Sequence, residues 1–434
     1  MNSLAIRLAC WAHCLRPGRQ DLELAHRSLL DTVAVALAAR DHPVTGLAAD
    51  LGEAGRWAVA GHVLDFDDLH MESTTHISVV CMPTALATGG GARAYLAAAG
   101  VMARLGMALG WPHYSAGWHA TCTAGAPASA AGAAVAAGLT ADQVATAMAL
   151  AVPAAGGVQR AFGTDAKSLQ VGFAVQAGIR AARLSAAGAR ADPSALDAWL
   201  ALVGGDPAAA DPALPDVASP RQPGDAADPA SPDPASPRQP GGDSAGLDPA
   251  GVIPGGLAVK IYPCCYALQR PISALAGLAG GTLDPARVSR IVLRTPEASL
   301  TPLIHHRPET GLQGKFSLEY GAAAALLDGY PDFASFTDEA VRRPAARRLT
   351  ELVEVKPGPG GTGLLDGELE AAVHTGSGEV RRASLRYPPG SPGNPPDLAG
   401  LRAKLDACVT GLDTDPTSWT WDNAADVLRE GLPS

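Results

Sequence analysis

The chain has 434 residues and a formal net charge of −10; 47% of it is hydrophobic, much of that alanine, and only 5% is aromatic. That length supports two or three domains and a large core, and the lack of any Lys/Arg stripe argues against a nucleic-acid partner. Seven scattered cysteines (Cys10, Cys14, Cys81, Cys122, Cys264, Cys265 and Cys408) form neither a disulfide framework nor a zinc spacing, and they lack the three-cysteine grouping of an iron–sulfur site. They point to a reducing, cytoplasmic compartment, with no metal or cofactor expected.

The apolar stretch at the start is short and interrupted by Trp11, His13 and Cys14, so it reads as an ordinary first helix. Residues 21–40 place Leu22, Leu29, Leu30, Val33 and Leu37 at helical spacing. Residues 92–110, 140–152, 166–186 and 194–203 also read as helices, with small residues that allow close approach of their axes. The alanine-dominated stretches 127–141 and 145–158 are too weakly apolar for a membrane span. Nothing before residue 200 alternates as a strand does.

Residues 206–250 contain no aromatic residue and no lysine, and Ala-Ser-Pro-Arg-Gln-Pro-Gly occurs in them twice, at 218–224 and 235–241. Such a segment buries too little apolar surface to offset its ordering entropy and is expected to be a disordered loop. Beyond residue 256 the pattern changes. Residues 287–295 read as a strand, 318–327 and 338–353 as helices, and 367–387 as a hairpin turning at Gly376-Ser377-Gly378. Helical periodicity returns from Asp397. The expected fold is mainly α: a large all-helical domain from both chain ends (1–203 and 393–434), a Pro/Ala/Asp-rich loop (204–256) and a smaller α+β domain (257–392).

Four segments set polar residues in apolar surroundings. Leu64-Asp65-Phe66-Asp67-Asp68-Leu69-His70, followed by Thr74-Thr75-His76-Ile77-Ser78, suits either substrate or metal binding or helix capping. His119, in Gly117-Trp118-His119-Ala120-Thr121, opens an alanine-rich helix whose free amides favour an anion, or simply caps it. Lys167 interrupts an apolar helix, where a lysine commonly reaches for solvent. Lys260-Ile261-Tyr262-Pro263-Cys264-Cys265 lies at the domain junction, a common place for small-molecule sites. Further on, Phe316-Ser317-Leu318-Glu319-Tyr320 sets a phenol on a helix.

These strings, with Asp165-Ala166-Lys167-Ser168-Leu169-Gln170 and Phe316-Ser317-Leu318-Glu319-Tyr320 in the same order, resemble the MmgE/PrpD family over nearly the whole chain outside 206–250. That family includes 2-methylcitrate dehydratases, cis-aconitate decarboxylases and iminodisuccinate epimerases. The resemblance implies a helical domain with an α+β lid, a homodimer, and an interdomain cleft carrying Asp65, His76, His119, Lys167, Lys260 and Tyr320. Asp68 and Cys265 fall beside them as substrate-binding candidates. Leu69 stands where the decarboxylase pattern has a hydroxyl residue, and Cys265 where decarboxylases and methylcitrate dehydratases carry a histidine.

The residue set has its own chemical logic. Removing a proton next to a carboxylate builds negative charge that Lys167 and Lys260 can stabilise. A histidine near two ammonium groups stays neutral and can act as the base. The other histidine or Tyr320 would be the acid, and Asp65 would orient a histidine or a substrate hydroxyl. The expected activity is that of a cofactor-independent lyase, a dehydratase of a small di- or tricarboxylate. An epimerase working through the same carbanion, or a non-catalytic carboxylate-binding homologue, is the alternative.

Overall fold

The computed structural model describes residues 3–210, 251–361, 363 and 366–432. Its first half is helical because alanine and glycine let helices pack at short separation. A Cβ on Gly178, in helix Ala166–Ala186, would lie 2.6 Å from the Ala126 carbonyl oxygen of helix Ala120–Ala136. A Cβ on Gly132 would lie 2.7 Å from Ala98 in helix Gly91–Ser115. With Gly52–Val63, Ser78–Ala87 and Ala141–Ala151, these helices enclose one continuous core. Local signals set their ends, as where Thr140 and Gln143 form a capping box ahead of Ala141–Ala151. Gly91–Ser115 is long and apolar enough to cross a membrane by composition, but its apolar window is 83% buried inside the fold.

The C-terminal helices Leu398–Cys408 and Ala424–Gly431 pack against Arg19–Ala38, where Lys404 meets Asp31 at 2.7 Å. Both chain ends thus build the helical core. Of the Pro-rich stretch, residues 211–250 lie outside the described residues. Of its described flanks, Gly204, Asp206, Ala208 and Ala209 are exposed, whereas Ala210, Val252 and Ile253 are buried and Arg104 donates to the Val252 carbonyl at 2.9 Å.

The smaller part holds one sheet of β1 (Val288–Thr295), β2 (Val353–Pro357), β3 (Leu369–Thr375) and β4 (Val380–Leu385), in the order β2-β1-β3-β4. β1 and β2 are parallel; β3 runs antiparallel to β1 and to β4. Gly378, at φ 87°, supplies the left-handed residue of the β3–β4 turn. Helix Tyr266–Ala279 packs on β3 and β4, with Leu318–Asp328 and Pro344–Glu351 behind it.

One expected element divides. The single helix read over 338–353 is two, Asp338–Arg342 and Pro344–Glu351, followed by β2. Pro344 disfavours helical geometry at Arg343, whose ψ is 131°. The parallel partnership with β1 then draws Val353 onward into the sheet. At the junction of the two parts, Phe162 of the helical part stacks on Phe316 of the lid at 5.0 Å.

Candidate active site

Residues 64–68 leave helix Gly52–Val63 carrying three carboxylates into the interior, which is costly unless each is paired. Asp65 adopts φ 53°, a left-handed conformation that Asp tolerates better than most side chains. Three buried lysines from distant parts of the chain hold this turn through consecutive carbonyls. Lys315 of the lid donates to Leu64 O at 2.8 Å, Lys260 to Asp65 O at 2.9 Å, and Lys404 of the C-terminal helix to Phe66 O at 2.8 Å.

Lys260 and Lys167 also reach the Asp65 carboxylate, at 2.7 and 3.1 Å. Burial alone would raise the Asp65 carboxyl, but these two ammonium groups hold it well below the usual carboxylate range. Its second oxygen, Oδ2, is buried with no hydrogen-bond partner among the described residues. Burial pushes the Lys315 ammonium down to about 8.

Behind the turn, His62 Nδ1 lies 2.7 Å from Asp67 Oδ2, and its Nε2 accepts from Lys167 Nζ at 2.8 Å. His76 Nδ1 is 2.9 Å from the same Asp67 oxygen. Burial opposes ionisation of Asp67, yet His62 and His76 hold it well below the usual range. The His76–Asp67 approach lies outside hydrogen-bond geometry, and His76 Nδ1 has no hydrogen-bond partner among the described residues.

His119 is arranged the other way. Gln170 Oε1 accepts from the Val158 N–H at 3.0 Å, which turns the amide nitrogen toward His119 Nδ1, 2.7 Å away. Nδ1 therefore accepts, and the His119 proton sits on Nε2. Burial pushes all three histidines below the ordinary range, His62 to about 4, so each is neutral at pH 7.

Asp65, His76, His119, Lys167 and Cys265 come together on one cleft between the helical part and the lid, as the sequence suggested. Its other walls include Leu69, Tyr114, Phe162 and Phe316, and its volume of about 20 Å³ has room for one water.

Three expected site residues lie elsewhere. Lys260 is fully buried behind Asp65, held by that residue's carbonyl and carboxylate rather than facing the cleft. Asp68 turns back to accept from the Ser78 backbone N–H at 3.1 Å and from the Ser78 hydroxyl, capping helix Ser78–Ala87; burial raises its carboxyl to about 7. Tyr320 points into the lid core, donating its hydroxyl to the Ser335 carbonyl beside Phe336.

Sequence reasoning passed over His62, Gln170 and Lys315. His62, three residues before Asp65 and following the apolar run Trp57–Gly61, was the readable signal; the other two act only through contacts distant in sequence. His62, Asp65, Asp67 and His76 offer ligand atoms within 4.8 Å of one another, a spacing compatible with a cation. Lys167 spans His62 Nε2 and Asp65 Oδ1, and Lys260 shares that carboxylate oxygen, while Asp65 Oδ2, Asp67 Oδ1 and His76 Nδ1 have no hydrogen-bond partner among the described residues.

A helical body and a small α+β part meet at a cleft lined by two histidines, a lysine and an ionised aspartate. The MmgE/PrpD N-terminal domain profile matches residues 54–200 and the MmgE/PrpD C-terminal domain profile matches residues 262–418. The chain belongs to the MmgE/PrpD family, which includes dehydratases. A search of curated proteins found no match.

Proposed function

We propose that the chain is a cofactor-independent dehydratase that removes the proton next to a carboxylate of a small hydroxy acid and expels the β-hydroxyl. The observation that carries this reading is the pair of neutral histidines on one cleft: His119 with its proton on Nε2, and His76, whose Nδ1 lies 2.9 Å from an Asp67 oxygen and which, protonated there, presents its Nε2 lone pair. His76 Nε2 takes the α-proton, and the C–H electron pair moves into the carboxylate as an enediolate. His119 Nε2–H and the Lys167 ammonium stabilise the growing charge in a water-poor cleft. The unpartnered Asp65 Oδ2 is suited to accept the substrate hydroxyl hydrogen before reaction.

The enediolate pair then forms the C=C bond as the C–O bond breaks. The departing hydroxyl takes the proton held by His76 and leaves as water, which restores His76. A neutral imidazole such as His119 is a poor proton donor, so one histidine serves both steps and the elimination is syn.

The test is the full-length protein in D₂O with a panel of hydroxy di- and tricarboxylates, followed by NMR. Deuterium at the carbon next to a carboxylate, with alkene formed, is the expected result; no binding and no exchange across the panel would overturn the reading. In the same assay Cys265→Ala should retain at least about a third of wild-type turnover. Burial raises the Cys265 thiol to about 12, which leaves almost no nucleophilic thiolate at pH 7. Complete loss of turnover in that variant would point to a covalent mechanism instead.

A further inference from the structure

Resting on the reaction proposed above, we infer that Gln170 is the positioning residue that divides the work between the two histidines, holding His119 as the neutral donor and barring it from acting as the base. Gln170 follows Lys167 by three residues on helix Ala166–Ala186, so both side chains leave one face of that helix. Lys167 reaches His62 and Asp65, while Gln170 reaches His119 Nδ1 at 2.7 Å. The backbone of Val158 pins the Gln170 amide: Oε1 accepts the Val158 N–H at 3.0 Å, and the amide nitrogen approaches the Val158 carbonyl at 3.4 Å. A flipped amide would set donor against donor and acceptor against acceptor there, so the backbone, not the histidine, chooses its orientation.

The loop that carries Val158 is tied in turn to the segment that carries His119. The Gly157 carbonyl accepts the His119 N–H at 3.0 Å, the Gln159 N–H donates to Gly117 O at 2.8 Å, and the Gln159 side chain donates to Trp118 O at 3.0 Å. Val158, Gln170 and His119 therefore form one frame. Cys122 Sγ, 3.3 Å from the same Nδ1, adds at most a weak thiol donor. A proton on Nδ1 would face the Gln170 N–H, so the bond itself opposes the imidazolium. Burial, the His62 ring stacked at 5.8 Å, Lys167 and His76 act in the same direction, against the pull of Asp65.

Glutamate at this position has the same shape and the opposite demand. One carboxylate oxygen still accepts the Val158 N–H, but the other can only accept, so His119 must bring its proton to Nδ1. In the neutral ring this strips Nε2 of the hydrogen that stabilises the enediolate. Only the imidazolium carries both protons. Gln170→Glu should therefore work only where pH is low enough to keep the His119 ring charged, and lose activity as pH rises through its raised pKa.

The experiment reads the tautomer and the turnover separately, both on the full-length protein. Without substrate, ¹H–¹⁵N correlation NMR of protein with ¹⁵N-labelled histidine, the His119 signals being those lost in His119→Asn, should show the wild-type proton on Nε2 and the Gln170→Glu proton on Nδ1. Gln170→Met, of similar length but without an amide, covers the case in which the glutamate variant does not fold, and should show both tautomers. In turnover, Gln170→Glu should lie at least about tenfold below wild type in kcat near about pH 8, come within about threefold near about pH 6.5, and change KM by less than about threefold. A wild-type His119 proton on Nδ1, or a single Nε2 tautomer in Gln170→Met, would overturn the inference whatever the reaction. Parallel pH profiles for Gln170→Glu and wild type would overturn it too. Absence of turnover with every acid, beside a wild-type proton on Nε2, would remove the reaction and leave the control of His119 by Gln170 standing.

Discussion

Replacing His76 with glutamine should lower kcat at least about a hundredfold and change KM by less than about threefold, the usual signature of losing a positioned base rather than a binding group. Glutamine keeps a hydrogen-bonding side chain near Asp67 but has no nitrogen lone pair to offer the substrate. The pH profile supplies a second check. Burial, outweighing the pull of Asp67, holds the His76 imidazole below its ordinary value. The neutral, base-competent form therefore persists below the usual histidine pKa of about 6.5, and activity is lost only as pH falls through the lowered value. Wild-type kcat/KM should stay level from pH 7.5 to about 6.5 and decline below that. An acid limb centred above pH 7, or near-normal turnover in His76→Gln, would remove His76 from the mechanism.

Lys260→Met should destabilise the fold by about 3–5 kcal/mol in equilibrium urea unfolding, the range for removing one partner of a buried ion pair. Lys260 is fully buried, and it satisfies both the carbonyl and the carboxylate of Asp65 at a residue with left-handed backbone. Its loss leaves Asp65 to Lys167 alone and frees a carbonyl in the interior. Adding Asp65→Asn should recover part of the loss, because asparagine tolerates positive φ and removes the uncompensated charge. Asp65 also carries a pH signature. Its folded-state pKa is depressed, so the stability it contributes is complete above the unfolded value of about 3.9 and is lost as pH falls through and below it. In Lys260→Met that acid-side loss should be smaller. A double variant no more stable than Lys260→Met would show that the pair is not what holds the turn.

Much of this protein was legible in its residue order. Helices such as Ala141–Ala151 and Ala166–Ala186 follow from local periodicity, capping and alanine content, which act within a few residues. The β3–β4 hairpin follows from alternation around Gly378. Asp65, His76, His119, Lys167 and Cys265 were recognisable because charged, histidine and thiol side chains there interrupt apolar runs, and their order resembles one family.

What depends on contacts across hundreds of residues was decided only in three dimensions. β2 forms because β1 offers a parallel edge, although its residues follow directly on a helix. Lys260, Lys315 and Lys404 converge on carbonyls 65, 64 and 66 from three separate regions, so a lysine expected to face substrate became a buried support. Tyr320 shares a string with Phe316, yet the helix that begins at Leu318 turns its ring into the lid core while Phe316 faces the cleft. Which nitrogen of His119 holds the lone pair is set by Gln170. A proton's position depends on the partner across a hydrogen bond, and residue order alone does not name that partner.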